Sequence, residues 1–145
     1  MAQGHRRRRR TLLPVEDQRS DARERALSLL YERDAKALSG REVLAALPVP
    51  PDPLAARLVE GVDDHRERID GLLRAHARGW TVERMPVIDR NVLRLATFEL
   101  LDRADVPTAV VIDEYVELAK RFSTDGSGRF VNGMLSAIAR EVRAG

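Results

Sequence analysis

The segment from Val87 to Asp102 constrains the fold most, because it is apolar on nearly every side of a helix. Its apolar residues are Ile88, Val92, Leu93, Leu95, Ala96, Phe98, Leu100 and Leu101. A helix without a wide polar face would expose apolar side chains to water anywhere on a protein surface. The segment therefore predicts a central helix that other helices surround.

The rest of the chain supplies those helices. Apolar residues recur at three- and four-residue steps and no segment alternates with period two, so an all-α fold is predicted. Ser39 and Glu42 have the form of a capping box, and Asp52 precedes Pro53 as an N-cap. Phe122 falls on the inward face of its helix. The predicted helices cover about 17–37, 39–47, 52–78 with a break near Gly61, 87–102, 107–122 and 130–142.

The composition limits the class of protein. A chain of 145 residues with 33% charged and 4% aromatic residues is typical of one soluble helical domain. The absence of cysteine excludes disulfides and thiolate metal sites. No apolar run reaches the roughly 18 residues of a membrane span, and no secretory signal follows the N-terminal arginines. We therefore expect a cytoplasmic protein without membrane contact.

A run of arginines, Arg6–Arg10, makes the charge uneven along the chain. The net charge is +2, so the residues outside this run carry a charge of about −3. Residues 1–16 are predicted to form a disordered arginine-rich arm, and residues 17–145 the folded domain. Such an arm attracts polyanions, but a tail that only raises solubility is the alternative.

Several polar residues lie inside apolar helical patterns. Glu99 falls on the apolar stripe of the central helix, and a buried carboxylate must be paired or hydrogen-bonded. An arginine of a neighbouring helix or a backbone N–H is its predicted partner. Arg94 and Glu114 are expected to form a similar interhelical tie. Asn132 is expected to tie loop backbone to the last helix.

No arrangement of residues points to catalysis. His5, His65 and His76 lack metal-ligand partners at helical spacing, and residues 125–128 lack the lysine of a P-loop. A general acid or base built on Glu99 would need a second group and a cleft. We therefore expect no enzyme activity, no metal and no cofactor.

Cations and aromatic residues instead favour RNA binding. Arg19 and Arg23 are four residues apart on one helix face, with Tyr31 on the same broad surface. Arg129 and Phe130 lie before the last helix, whose first N–H groups offer an anion site. Arginines bind phosphates and bases stack on aromatic rings. Phe130 could equally belong to the core.

Four ordered blocks in the second half of the chain resemble the NusB family of transcription antitermination factors. They are Val92–Ala96 with Glu99-Leu100, Asp105–Pro107, Ile112–Glu114 with Glu117–Lys120, and Phe130–Gly133. Arg23-Glu24, Ala26 and Leu30-Tyr31 resemble the family's first helix. The resemblance implies a compact all-α bundle of about seven helices in two packed sub-bundles, without catalysis.

The resemblance also implies partners and sites. NusB-like proteins bind the boxA element of ribosomal RNA leader transcripts together with NusE, a ribosomal small-subunit protein, and help RNA polymerase pass terminators. The residues that match the RNA side are Arg19, Arg23, Ser127, Arg129 and Phe130. Tyr31 and Asp89 match positions on the NusE side.

Two alternatives stay open at this point. The resemblance is compatible with a monomer and with a homodimer. A non-enzymatic helical protein–protein adaptor, whose arginine tail binds polyanions non-specifically, is the rival function. The chain also departs from the family's loop pattern near Gly126 and Gly128, and the Arg6–Arg10 run could supply positive charge that the first helix lacks.

Overall fold

The computed structural model describes residues 15–143, which form seven α-helices and one short 3-10 helix without any strand. The helices are α1 Val15–Lys36, α2 Gly40–Ala45, α3 Pro53–Asp64, α4 Arg66–His76, α5 Val87–Asp102, α6 Thr108–Phe122 and α7 Ser127–Val142, with the 3-10 turn at Val82–Arg84. The predicted all-α fold is confirmed. The arginine-rich arm lies outside the described residues up to position 14, and α1 begins two residues before the predicted start at Asp17.

Helix α5 is the centre of the molecule, as its all-round apolar pattern predicts. Every residue from Asn91 to Leu100 is buried, and α5 packs against α1, α3, α4, α6 and α7. Helices α1, α2 and α3 contact one another on one side, while α6 and α7 pack together on the other. Helix α5 therefore packs in both sub-bundles and joins them.

The predicted caps fix the two short connections before α3. Ser39 Oγ accepts from the N–H of Glu42 at 3.1 Å, and Glu42 Oε1 accepts from the N–H of Ser39 at 2.8 Å. Asp52 Oδ1 accepts from the N–H of Leu54 at 2.7 Å. These bonds satisfy N–H groups that a helix start leaves without partners, so α2 and α3 begin at defined residues.

The break that the sequence allows near Gly61 occurs a few residues later, because α3 continues to Asp64 and α4 starts after His65. Gly61 is buried where α3 crosses α5, and a Cβ there would lie 2.1 Å from Cζ of Phe98. The glycine is needed because two helices approach closely. The last helix also differs from its prediction, since α7 begins at Ser127, three residues before Phe130.

Arg143 closes the C-terminal end of α5. Its guanidinium donates to the backbone carbonyls of Leu100 at 3.0 Å and of Arg103 at 2.8 Å. It also donates to the carbonyl of Val106 at 2.6 Å and to Thr108 Oγ1 at 3.1 Å. Carbonyls at a helix end have no partner within the helix. One arginine directly after α7 therefore supplies the cap of the central helix and holds the turn to α6.

Candidate nucleic-acid interface

The residues predicted as sites divide into a buried group and an exposed group, and Arg23 heads the buried one. Its side chain is 0% exposed and donates to Glu99 through Nε at 2.7 Å and Nη2 at 3.1 Å. Glu114 accepts from Nη1 at 3.2 Å and also from the Ser20 hydroxyl. Tyr115 donates its hydroxyl to Glu99 at 2.5 Å.

This network corrects the RNA-binding prediction for Arg23, because a fully buried guanidinium cannot reach a phosphate. Glu99 has a partner of the expected kind, an arginine of a neighbouring helix. Burial pulls the pKa of Arg23 down, but the hydrogen bond and charge of Glu99 outweigh it, and the pKa lies above its ordinary value. Burial and Glu99 together raise the pKa of Tyr115 well above 10. The cluster therefore holds its protons firmly and ties α1, α5 and α6 together.

Arg94 and Glu114 each form an interhelical tie, but with partners other than one another. Arg94 on α5 donates to Asp70 on α4 through Nε at 2.9 Å and Nη2 at 3.1 Å. Glu114 belongs to the Arg23 network described above. A second buried arginine of α1, Arg33, donates to Asp63 on α3 at 2.5 Å. Sequence reasoning missed Arg33, because nothing in its spacing separates it from the exposed arginines nearby.

Asp89 and Ser127 also lie inside the protein, which corrects both site predictions. Asp89 is 3% exposed and Ser127 is 2% exposed. The Ser127 hydroxyl donates to Asp89 Oδ2 at 3.0 Å, and the Ser123 hydroxyl donates to Oδ1. Asp89 thus binds both ends of the α6–α7 turn to the start of α5. Asp89 therefore affects the protein surface only indirectly, by positioning the first turn of α7.

Asn132 is exposed on α7, whereas the sequence predicted a structural tie to loop backbone. It lines a polar groove between α6 and the start of α7, together with Asp113, Lys120, Asp125 and Arg129. The tie that the sequence assigned to Asn132 is made instead by the serines around Asp89. The groove therefore carries both positively and negatively charged side chains.

The exposed group contains Arg129 and Tyr31, with Arg19 and Phe130 half-buried. Arg129 and Phe130 lie in the first turn of α7, and Phe130 packs against the core while its ring centroid lies 6.2 Å from that of Trp80. Gly126 precedes the helix with φ +88°, a left-handed conformation that glycine adopts without strain. Cation and aromatic side chains therefore lie together at one helix start.

Tyr31 lies on a different, apolar groove. Its side chain is 52% exposed and Phe122 is 45% exposed, and both line the groove with Leu27 and Ile88. The guanidinium of Arg121 lies 4.7 Å from the centre of the Phe122 ring. The inward orientation predicted for Phe122 is wrong, since the residue ends α6 where the core no longer covers it.

Neither a membrane span nor a metal-binding cluster is found within residues 15–143. No helix there is long and apolar enough to cross a membrane, and no group of three or more histidine or acidic residues could hold a metal ion.

Comparison with protein families matches residues 20–140 to the model of the NusB family. The transcription antitermination protein NusB of Saccharopolyspora erythraea is 54% identical over 128 residues, covering 83% of this chain and 86% of that protein. NusB of Acidothermus cellulolyticus is 49% identical over 126 residues, with the same coverage of 83% and 86%.

Solved structures agree with this match. T. maritima NusB superposes with a TM-score of 0.77 at 36% identity, covering 85% of this chain and 91% of that one. A crystal structure of the antitermination factors NusB and NusE in complex with double-stranded RNA gives a TM-score of 0.72 at 29% identity, covering 85% and 96%. The chain therefore belongs to the NusB family of transcription antitermination proteins.

Proposed function

We propose that this protein binds boxA-type ribosomal RNA leader sequence together with NusE and supports transcription of ribosomal RNA operons. The observation that carries the proposal is the similarity to a NusB–NusE–RNA complex over 85% of the chain. As a NusB-family protein the chain is an RNA-binding antitermination factor and not an enzyme. Its proposed place of action is the RNA polymerase antitermination complex in the cytoplasm.

The RNA side of the proposal rests on arginines near two helix starts, Arg19 half-buried and Arg129 exposed. Arg19 lies in the second turn of α1, and Arg129 lies in the first turn of α7 beside Phe130. Arginine neutralises phosphates in a salt-dependent manner, and an aromatic ring beside it stacks a base. Arg23, Ser127 and Asp89 support this surface from inside by fixing the two helices.

The partner side rests on the groove around Tyr31 and Phe122. Two aromatic side chains that are about half exposed, with an arginine stacked on one of them, are typical of protein interfaces. Tyr31 matches a position that the family resemblance associates with NusE. We therefore assign this groove to NusE.

The two surfaces would act together through linkage. When RNA and NusE also contact each other, binding at one surface raises the effective concentration of the second ligand at its own surface. Because binding couplings are reciprocal, RNA must then strengthen NusE binding by the same factor. Two weak contacts would thus give a specific ternary complex.

Fluorescence anisotropy with a labelled 12-nucleotide boxA RNA, with and without NusE, tests the proposal. We expect NusE to tighten boxA binding and to leave a scrambled RNA weakly bound. Arg129→Gln should weaken binding several-fold, whereas Arg140→Gln, at the opposite end of α7, should not. Equal affinity for boxA and scrambled RNA in the presence of NusE would favour the non-specific adaptor instead.

The Arg6–Arg10 run is tested separately by its salt dependence. Each phosphate neutralised on single-stranded RNA contributes about −0.7 to the slope of log affinity against log salt concentration. Deleting residues 1–10 should flatten that slope if the run contacts phosphates. An unchanged slope would assign the run to solubility alone.

A further inference from the structure

Trp80, the only tryptophan of the chain, leaves a large part of its indole ring in solvent. It lies between α4 and the 3-10 turn, and its side chain is 50% exposed. Tryptophan carries the largest apolar surface of any residue, so leaving half of it in water forgoes much of the stabilisation that burial gives. Such a position indicates a surface that another molecule covers.

The backbone around Trp80 holds the ring in a defined place. The N–H of Trp80 donates to the carbonyl of Ala77 at 3.1 Å, and Gly79 turns the chain with φ +76°. The 3-10 turn then closes through Arg84 N–H donating to the Thr81 carbonyl at 3.1 Å. Two consecutive turns therefore fix the backbone position from which the indole projects.

One side of the indole is supported by Phe130. The two ring centroids are 6.2 Å apart with 44° between the ring planes, within the range of favourable aromatic pairs. Phe130 in turn packs against the core. The two residues therefore form an aromatic surface, called here the Trp80–Phe130 ledge, with its outer part in solvent.

Three arginines lie close in sequence to the two residues of the ledge. Arg78 and Arg84 flank Trp80, Arg129 precedes Phe130, and all three side chains are exposed. Among the described residues none of the three has a carboxylate within salt-bridge distance. Glu83 is the single acidic residue of the segment from Arg78 to Arg84. Unpaired arginines beside an exposed aromatic ring are complementary to a polyanion that carries planar rings.

We infer that Trp80 is a nucleobase-stacking residue for single-stranded RNA, and that the Trp80–Phe130 ledge extends the RNA surface from the first turn of α7 to the α4–α5 connector. The inference rests on the proposed RNA-binding function and adds a contact outside the first helix and the α6–α7 turn. A base stacks on the exposed part of the indole, while Arg129 and the flanking arginines neutralise the adjacent phosphates. Stacking needs no particular base, so this contact adds affinity and sequence selection arises elsewhere.

Because Trp80 is the only tryptophan, its fluorescence reports the contact directly. The full chain is excited at the red edge of indole absorption and titrated with the unlabelled 12-nucleotide boxA RNA. We expect quenching that saturates at the RNA concentration where anisotropy of the labelled RNA saturates. Trp80→Ala should bind the RNA about tenfold more weakly, the effect of losing one stacked base. Trp80→Phe should recover most of that loss.

Val49→Ala is the control, since it removes an exposed apolar side chain (72% exposed) from the connector between α2 and α3 and should leave RNA affinity unchanged. Urea unfolding of Trp80→Ala checks that it remains folded. If the unaltered protein binds RNA while its fluorescence and the Trp80→Ala affinity stay unchanged, this inference is overturned and the proposed function stands. Loss of NusE binding in Trp80→Ala with normal RNA affinity would assign the ledge to a protein partner and also overturn it. If the unaltered protein binds no RNA, both fail.

Discussion

Arg23 on α1 donates its Nε–H to Glu99 Oε2 on α5 at 2.7 Å, and both side chains are completely buried. A buried ion pair is stable only when the remaining hydrogen-bonding groups are also satisfied. Here Tyr115 and Glu114 supply the additional contacts. The pair is therefore a structural joint between the two sub-bundles, although one of its members looks like an RNA-binding arginine in the sequence.

Replacing Glu99 by Gln should destabilise the protein by about 3 kcal/mol, because Arg23 would lose its fully buried counter-charge and keep only the half-buried carboxylate of Glu114. Urea unfolding measures this loss, with Glu117→Gln on the exposed face of α6 as the control. The remaining folded protein should bind boxA RNA normally. A fully stable variant that no longer binds RNA would instead make Glu99 a site residue.

Tyr115→Phe should change how stability depends on pH. The folded pKa of Tyr115 is raised well above 10 by burial and by Glu99, so above pH 10 unfolding releases its proton. The stabilisation is complete below the unfolded pKa and is lost as pH rises through 10, by about 1.4 kcal/mol per pH unit until the folded pKa is reached. Denaturant titrations between pH 8 and pH 11 should show a shallower decline for Tyr115→Phe than for the unaltered protein. Parallel curves would show that Tyr115 is not the source.

Gly61→Ala should destabilise the protein by about 2–3 kcal/mol, since the new Cβ would overlap the Phe98 ring between α3 and α5. Gly71→Ala on α4 is the control, because the nearest atom to its Cβ is the mobile end of Arg74 at 4.0 Å. Alanine is the better helix former, so Gly71→Ala should stabilise by up to about 1 kcal/mol. Thermal melts of the two variants should therefore shift in opposite directions, and equal shifts would contradict the close approach.

Tyr31→Ala should weaken NusE binding about tenfold or more, as expected when an aromatic anchor of an interface is removed. Affinity for RNA in the absence of NusE should stay the same, because Tyr31 lies on the apolar groove with Phe122. Calorimetric titration with NusE measures the first effect and anisotropy the second. A loss of RNA affinity without any loss of NusE binding would exchange the assignments of the two surfaces.

Arg143→Ala should lower stability by about 2 kcal/mol, because backbone carbonyls at the end of α5 lose a charged donor. Arg140→Ala, exposed on the same helix, should have an effect within about 0.5 kcal/mol. Hydrogen exchange should localise the change to the turn that joins α5 to α6. Equal unfolding energies for the two variants would show that water replaces the guanidinium without cost.

The sequence predicts the central position of α5 and the pairing of Glu99 because both follow from periodicity within one helix. It could not predict that Arg23 is the partner, since α1 carries many arginines and only tertiary packing separates Arg23 from Arg19. The Asp89–Ser127 hydrogen bond joins residues 38 positions apart, which no local pattern encodes. The sequence also could not place the break between α3 and α4, because a glycine required for close packing and one that ends a helix look alike in sequence.

The exposed part of the site was the least predictable. Local propensity does not show that Phe122 lies beyond the edge of the core, or that the α4–α5 connector brings Trp80 to Phe130. Both contacts depend on where distant helices end. Sequence reasoning therefore located the helices that carry the surface, while the neighbouring residues on that surface emerged only from the packed structure.

The cap that Arg143 places on α5 makes folding depend on the order of synthesis. The carbonyl of Leu100 leaves the ribosome more than forty residues before the guanidinium that binds it. Until then the carbonyls of the final turn of the central helix lack this donor, and α7 is not yet available to pack against it. The hydrogen bonds that complete this end of α5 therefore form only after Arg143, which follows α7, has been made.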